Sequence, residues 1–558
     1  MNHHHKKIFF LLLFFIPVYI FSLDFSDSGD PETLAQNIVN AMSDEQALAQ
    51  TFMLGWVGAA PSPLIMDWIK DRNIGGIKIF GWNTGDTLRL AETVGTLQTA
   101  ALEGPFNIPL LVATDQEGGW IRHVKGSTSE TPGNMAIGAS GFPLDAYRAG
   151  FYIGRELALL GINMNFAPTV DLYTNRDSTL IGPRAFGSDP VQAGILGAAF
   201  VKGQKESGII ATAKHYPGHG DTDLDSHGVL PEINAGFEQL WNRELVPYRL
   251  LAREGVPAVM SGHLAFPNTP AGSTPASLSS WFLKNILRDK MEFKGLVITD
   301  DLMMNGATTF AGSVSLAAKQ ALLAGNDIIM FSKTPNLFDP VWTSLVLAMK
   351  QEDVFRNRVR DAARRIVLIK LEYLRGERSV PYIPDLKKAA AGLPDPEGQN
   401  FFMDLAARSI TIVSGGEGFP LRPEKAGKVV LAGQYTEFFN AGKKAYPEAV
   451  SCRIGTPGLN ADFLRNARNA DTVIFCLAEE ADLRILQNIK TLGKRTIIFS
   501  ILSPVYLDGI TWADGALAVY SYAAESFIAG FSAMLGRITP QGKIPFPLNE
   551  PRWVPSGS

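Results

Sequence analysis

The chain runs to 558 residues, 46% of them hydrophobic and 19% charged, with a formal net charge of −4. That balance excludes a disordered chain, and with no basic stretch in its body it excludes nucleic acid as a partner. One hydrophobic core stops growing near ~250–300 residues, so two large domains are expected.

At the start, Lys6 and Lys7 precede an almost unbroken apolar run from Ile8 to Leu23. A positive start and a short apolar stretch make residues 1–23 either a signal peptide, cleaved near Ser22–Asp24, or an uncleaved membrane anchor. No Cys follows the run, which argues against a lipoprotein. Either way the body of the protein is expected to be periplasmic or secreted.

From residue 30 to 375, short apolar runs alternate with helical patterns. The predicted strands are Thr51–Val57, Gly76–Phe80, Pro109–Thr114, Asn163–Pro168, Ile209–Lys214, Ala258–His263, Gly295–Thr299 and Asp327–Ser332. Helical patterns such as Pro190–Glu206 and Val314–Leu323 lie between them. Apolar strands separated by helices indicate a parallel sheet. Eight of them suit an α/β fold of the (β/α)8, TIM-type barrel; a doubly wound open sheet is the competing architecture. A helix over Asn357–Leu374 closes this domain.

Residues 376–400 carry four prolines and read as a linker. Strands at Ser409–Ser414, Lys428–Ala432, Thr472–Leu477, Thr496–Ile501 and Leu517–Tyr520 then predict a smaller α/β sandwich over 401–558. The only cysteines are Cys452 and Cys476. Cys476 lies in the apolar run Val473–Leu477, which favours a buried thiol, while a disulfide between the two is left open.

Polar residues gather at the strand ends. Asp115 follows the third strand and Asp171 the fourth; Lys214 and His215 end the fifth, His263 the sixth and Asp300 the seventh. In a barrel these ends meet on one face, where active sites form. Any one of them could simply cap a strand or a helix, but shared placement on five strands points to a site.

The densest stretch is Lys214 to His227, with three histidines, three aspartates and a lysine in fourteen residues. Groups that titrate near neutrality suit proton transfer. Within it, Asp225-Ser226-His227 lets an aspartate orient the histidine and stabilise its cation. Asp300 ends an apolar strand, where a carboxylate can attack an electrophilic sugar carbon. Asp301 reads as a helix N-terminal partner. Asp115-Gln116-Glu117-Gly118-Gly119 offers a carboxylate for sugar hydroxyls and glycines that admit a ligand to the backbone, or else a tight strand-to-helix turn. Arg184, in Gly182–Gly187, presents a rigid fork of donors to oxygen-rich ligands.

Together these motifs resemble glycoside hydrolase family 3, in its β-N-acetylglucosaminidase branch. The resemblance rests on Asp115–Gly119, Asn165–Pro168 with Asp171, Gly182–Phe186, Lys214–His227, Met260–His263 and Thr299–Leu302, in that order. It extends loosely to Pro540–Pro545. It implies a retaining exo-β-N-acetylglucosaminidase acting on terminal β-linked N-acetylglucosamine of muropeptides or chitooligosaccharides. Asp300 would be the nucleophile, and His227, poised by Asp225, the acid/base. Asp115, Arg184, Lys214 and His215 would hold the sugar. No cofactor or metal is implied. The second domain would be a scaffold or a substrate-side wall. One position departs from the pattern: where the family places an Arg eight residues beyond the Asp, this chain has His123, with Arg122 before it.

Three alternatives stay open. One is a broader family 3 β-glycosidase, or a phosphorylase in which phosphate replaces water. Another is a metal-dependent barrel hydrolase using His215, His219, Asp221 and His227 as ligands. The third is a sugar-binding protein without catalysis, against which Asp300 and His227 speak.

Overall fold

A computed structural model describes residues 23–222, 228–415 and 418–548. Its strands are β1 Phe52–Gly55, β2 Gly76–Ile79, β3 Leu111–Thr114, β4 Gln116–Gly118, β5 Ile121–Arg122, β6 Met164–Asn165, β7 Ile210–Tyr216, β8 Ala258–Ser261, β9 Leu296–Asp301 and β10 Ile328–Phe331. All but β4 and β5 close a parallel barrel in the order β1-β10-β9-β8-β7-β6-β3-β2. The barrel is therefore confirmed and the open sheet is not.

Side-chain alternation explains the closure. Met53, Leu111, Ala113, Met164, Ile210, Met260, Leu296, Ile298 and Met330 fill the barrel interior. Phe52, Leu54, Ile77, Ile79, Val112 and Val297 face the surrounding helices. Period two sorts neighbouring residues between these two apolar environments. The interior is sealed at its lower end by Leu34, Ala35, Ile38 and Val39 of the helix Pro31–Ala41, and by Ala363, Ile366 and Val367 of the helix Asp353–Tyr373.

The fourth barrel strand is shorter than predicted. Asn163 bonds Val112 N (2.8 Å) and Leu110 O (3.0 Å), and Asn165 bonds Gln116 N and O at 2.9 Å each. These amides do the work of ladder hydrogen bonds, so few ladder residues are needed. The Asp115–Gly119 segment forms neither a strand-to-helix turn nor an open backbone for a ligand; it starts the hairpin β4–β5. Gly118 has φ +94° and a Cβ there would lie 2.6 Å from Thr131 Oγ1, so the glycine serves close packing within the protein.

In the second domain β11 Thr411–Ser414, β12 Val429–Gly433, β13 Val450–Arg453, β14 Thr472–Leu477, β15 Arg495–Ser500 and β16 Gly515–Ala518 form one sheet. The order is β11-β16-β15-β14-β12-β13, with β11 antiparallel to β16 and the other pairs parallel. Leu431, Ile474 and Phe499 pack one face, and Val430, Val473 and Phe475 the other. The edge strand β13 was not predicted, because only Cys452 of its four residues is buried and no apolar run marks it. Cys452 and Cys476 are both buried, free thiols, so they form no disulfide.

Residues 376–400 are not a bare linker. They hold the helix Leu386–Gly392, capped by Asp385, and the start of Pro396–Ser409, capped by Asp395. The prolines that suggested a break include Pro396, which occupies a first-turn position it suits. Arg155 of the barrel grips Asp395 at 2.5 Å and Glu397 at 2.9 Å, tying this segment down.

Candidate active site

The C-terminal strand ends carry a connected set of charges. Asp115 follows β3, and its carboxylate lies 2.7 Å from Lys78 Nζ, in contact with Lys214 Nζ, and 3.5 Å from His123 Nδ1. Lys214, on β7, is also 2.7 Å from Glu117. Glu117 accepts two bonds from Arg184, at 3.0 and 2.7 Å. Arg184 Nη2 in turn lies 3.4 Å from His215 Nε2. His215 Nδ1 is 2.7 Å from Asp171 Oδ2, and Asp171 also accepts from the backbone N–H of His215 and of His219.

Most of this set is buried, so pairing decides the charges. Burial alone would raise Asp115, but Lys214, Lys78 and His123 outweigh it and hold the carboxyl well below the usual range. Burial would likewise raise Glu117; Arg184 and Lys214 bring it to about 2. Burial lowers Lys78 despite the attraction of Asp115, whereas Lys214, facing two carboxylates, is raised. His123 falls to about 4 through burial and the nearby Lys78, so its ring is neutral at pH 7.

Asp300 is half-buried near the end of β9. Burial pushes its carboxyl up, but His215, His263, the Asp301 N–H and Lys214 outweigh it and keep it below the usual value. Among the described residues its carboxylate accepts one hydrogen bond, from Asp301 N at 2.7 Å. The result is an ionised carboxylate with little of its hydrogen-bonding capacity spent. Asp301 does not cap a helix. It accepts from Met303 N and Ser332 N, at 3.0 and 3.1 Å, and so fixes the turn that follows Asp300.

Of the residues singled out from the sequence, Asp115, Arg184, Lys214 and His215 are brought into one network, with Asp300 in its field. Asp225 and His227 lie outside the described residues. Three participants were missed. Lys78 sits between Ile77 and Ile79, whose side chains pack outward, so it falls on the interior register. A lysine in an otherwise apolar strand was the available signal. Glu117 and Asp171 were quoted within motifs but given no role. His123 supplies the contact at the departing position, while Arg122 bonds Thr128 O at 2.9 Å and Glu130 at 3.3 Å. His263 bridges Ser277 Oγ (2.8 Å) and Asp301 O (3.0 Å).

The described members of the alternative metal set do not converge. His215 Nδ1 is taken by Asp171, and Asp221 contacts the Arg243 guanidinium at 2.5 Å. Among the described residues, neither ring nitrogen of His219 has a partner. Gly220 explains why the loop lies where it does: a Cβ there would fall 1.6 Å from Leu172 O.

The sequence pattern described as the glycosyl hydrolase family 3 N terminal domain matches residues 46–369, more than half of the chain. The chain belongs to glycoside hydrolase family 3. A family 3 β-N-acetylglucosaminidase structure from Paenibacillus sp. superimposes with a TM-score of 0.81 at 28% identity, covering 91% of this chain and 99% of that one. Both domains thus share the fold of this family 3 structure. Among curated proteins, β-hexosaminidase A of Pseudoalteromonas piscicida is 30% identical over 64% of this chain and 62% of its own length. The β-hexosaminidase of Tolumonas auensis is 36% identical over 47% of this chain and 76% of its own. The match thus spans less than two thirds of the first of these two relatives.

Proposed function

We propose that the protein is a retaining exo-β-N-acetylglucosaminidase. The observation that carries this is Asp300, an ionised carboxylate at a barrel strand end, beside a cationic and carboxylate network able to hold a sugar. The names of the relatives, β-hexosaminidase and β-N-acetylglucosaminidase, agree with it.

In this reading a terminal N-acetylglucosamine sits against Asp115, Lys214, Arg184 and His215, whose paired charges are preorganised to receive hydroxyl and amide groups. Lys78, Glu117 and Asp171 hold those side chains in place. Asp300 attacks the anomeric carbon as the bond to the leaving oxygen breaks, and His227 gives that oxygen its proton. Water, deprotonated by His227, then attacks the same carbon and releases Asp300. Two inversions leave the β configuration. A histidine donor, unlike a glutamate, sets no second anion against the nucleophile. The charged start and apolar run before Leu23 support a place outside the cytoplasm.

The test is hydrolysis of p-nitrophenyl N-acetyl-β-glucosaminide, followed by NMR of the first-formed sugar. The β anomer is expected, with much slower cleavage of the matching glucoside. An α first product would exclude retention, and a preference for the glucoside would move the chain to another branch of the family.

A further inference from the structure

A cavity of about 370 Å³ opens between the two domains. Its size falls in the range of small-molecule sites, roughly 300–1,000 Å³. From the barrel come Trp120, which directly follows Gly119 in the β4–β5 turn, together with Tyr173 and the Gly182-Pro183 pair that precedes Arg184. From the second domain come Tyr435, Tyr506 and Tyr522. The cavity and the charged network are therefore built on the same two barrel loops.

Its chemistry is aromatic and hydroxylic. The rings of Tyr435 and Tyr522 stack with centroids 5.7 Å apart and planes 5° apart. Among the described residues, the hydroxyls of Tyr435, Tyr506 and Tyr522 and the indole N–H of Trp120 have no hydrogen-bond partner. Ser178 is 1% exposed, and its buried Oγ, which lines the same space, is also unpartnered. Flat apolar faces with free polar tips suit a pyranose, which offers C–H faces and equatorial hydroxyls. Little there suits an anion. The one guanidinium in the lining, Arg176, is already paired with Asp508 at 2.6 Å, and Glu479 adds negative charge.

We propose that this interdomain cavity receives the leaving-side sugars of the substrate, and that it selects an uncharged glycan, such as further β-linked N-acetylglucosamine units, over a carboxylate-bearing muropeptide. This rests on the glycosidase reading above. It makes the second domain a determinant of specificity through Tyr435, Tyr506 and Tyr522.

The test compares chitotriose, a muropeptide and N-acetyl-β-glucosaminyl fluoride, whose leaving group is too small to occupy the cavity. In Tyr522→Ala and Trp120→Ala the KM for chitotriose should rise about tenfold, while kcat and all constants for the fluoride stay unchanged. Wild-type enzyme should have a higher kcat/KM for chitotriose than for the muropeptide. An unchanged KM for chitotriose in both variants, or a muropeptide preference in the wild type, would overturn the proposal. If wild-type protein cleaves none of the three, the glycosidase reading itself fails instead. Should an alanine variant lose the fluoride activity through misfolding, Tyr506→Phe and Tyr522→Phe decide by the same KM comparison, since they delete only hydroxyls.

Discussion

Arg184 and Glu117 form a two-point ion pair, at 2.7 and 3.0 Å, with side chains only 7% and 1% exposed. Neither residue has to touch the reacting bond for this pair to matter. It fixes the guanidinium proposed above to hold the sugar and gives Lys214 a second carboxylate.

Removing one partner of such a pair leaves the other buried and uncompensated. Glu117→Ala should cost ~3–5 kcal/mol of stability and raise KM for N-acetylglucosaminides, because Arg184 and Lys214 lose their anchor. Urea unfolding and initial rates measure the two effects. A variant as stable as wild type would mean the pair is solvated.

Asp300→Ala should behave in the opposite way. Its carboxylate accepts only one hydrogen bond among the described residues, so little of the surrounding structure depends on it. Turnover should fall on the order of 10³–10⁴-fold, while the melting temperature stays close to that of wild type. Retained turnover would remove Asp300 from the chemistry.

His227→Ala should depend on the leaving group. Loss of the proton donor should slow natural oligosaccharides by about 10²–10⁴-fold and spare dinitrophenyl glycosides, which need no proton. Equal losses on both substrates would argue against an acid role for His227.

Stability should change with pH through Lys370. Its ammonium donates to Gln50 Oε1 at 2.9 Å in a buried position, and burial lowers its pKa to about 7. Between about 7 and the ordinary lysine value the unfolded chain binds a proton that the folded chain does not. Stability from this group therefore rises with pH across that window and is flat below it. The urea midpoint should climb from pH 7 to pH 9 in wild type and climb less in Lys370→Met. Parallel curves would show that the group does not titrate there.

Dialysis against EDTA should leave activity unchanged, since Asp171 and Arg243 already engage His215 and Asp221. A loss reversed by zinc would restore the metal-dependent reading.

Much of the fold was legible along the chain. The eight barrel strands announced themselves as apolar runs because a parallel sheet covered on both faces needs apolar side chains on both. The edge strand β13 gave no such signal, since one buried residue in four makes no pattern. The helices within 376–400 were hidden by prolines that lie just before the caps Asp385 and Asp395 or, as Pro396, in the first turn, rather than inside a helix. At the site, Asp115, Arg184, Lys214 and His215 were legible as motif members, but Lys78 resembled an ordinary strand residue until the barrel register turned it inward.

Sequence alone settled that polar groups would crowd the C-terminal strand ends of a two-domain α/β protein, because hydrophobic periodicity is local and survives without coordinates. The pairing of charges was a different matter. Lys214 meets Asp115 across 99 residues, and Arg184 meets Glu117 across 67. Coulomb attraction depends on distance in space, and only barrel closure sets those distances. Which carboxylates are sequestered in ion pairs, and which one is left ionised with room to react, was therefore decided by the tertiary structure.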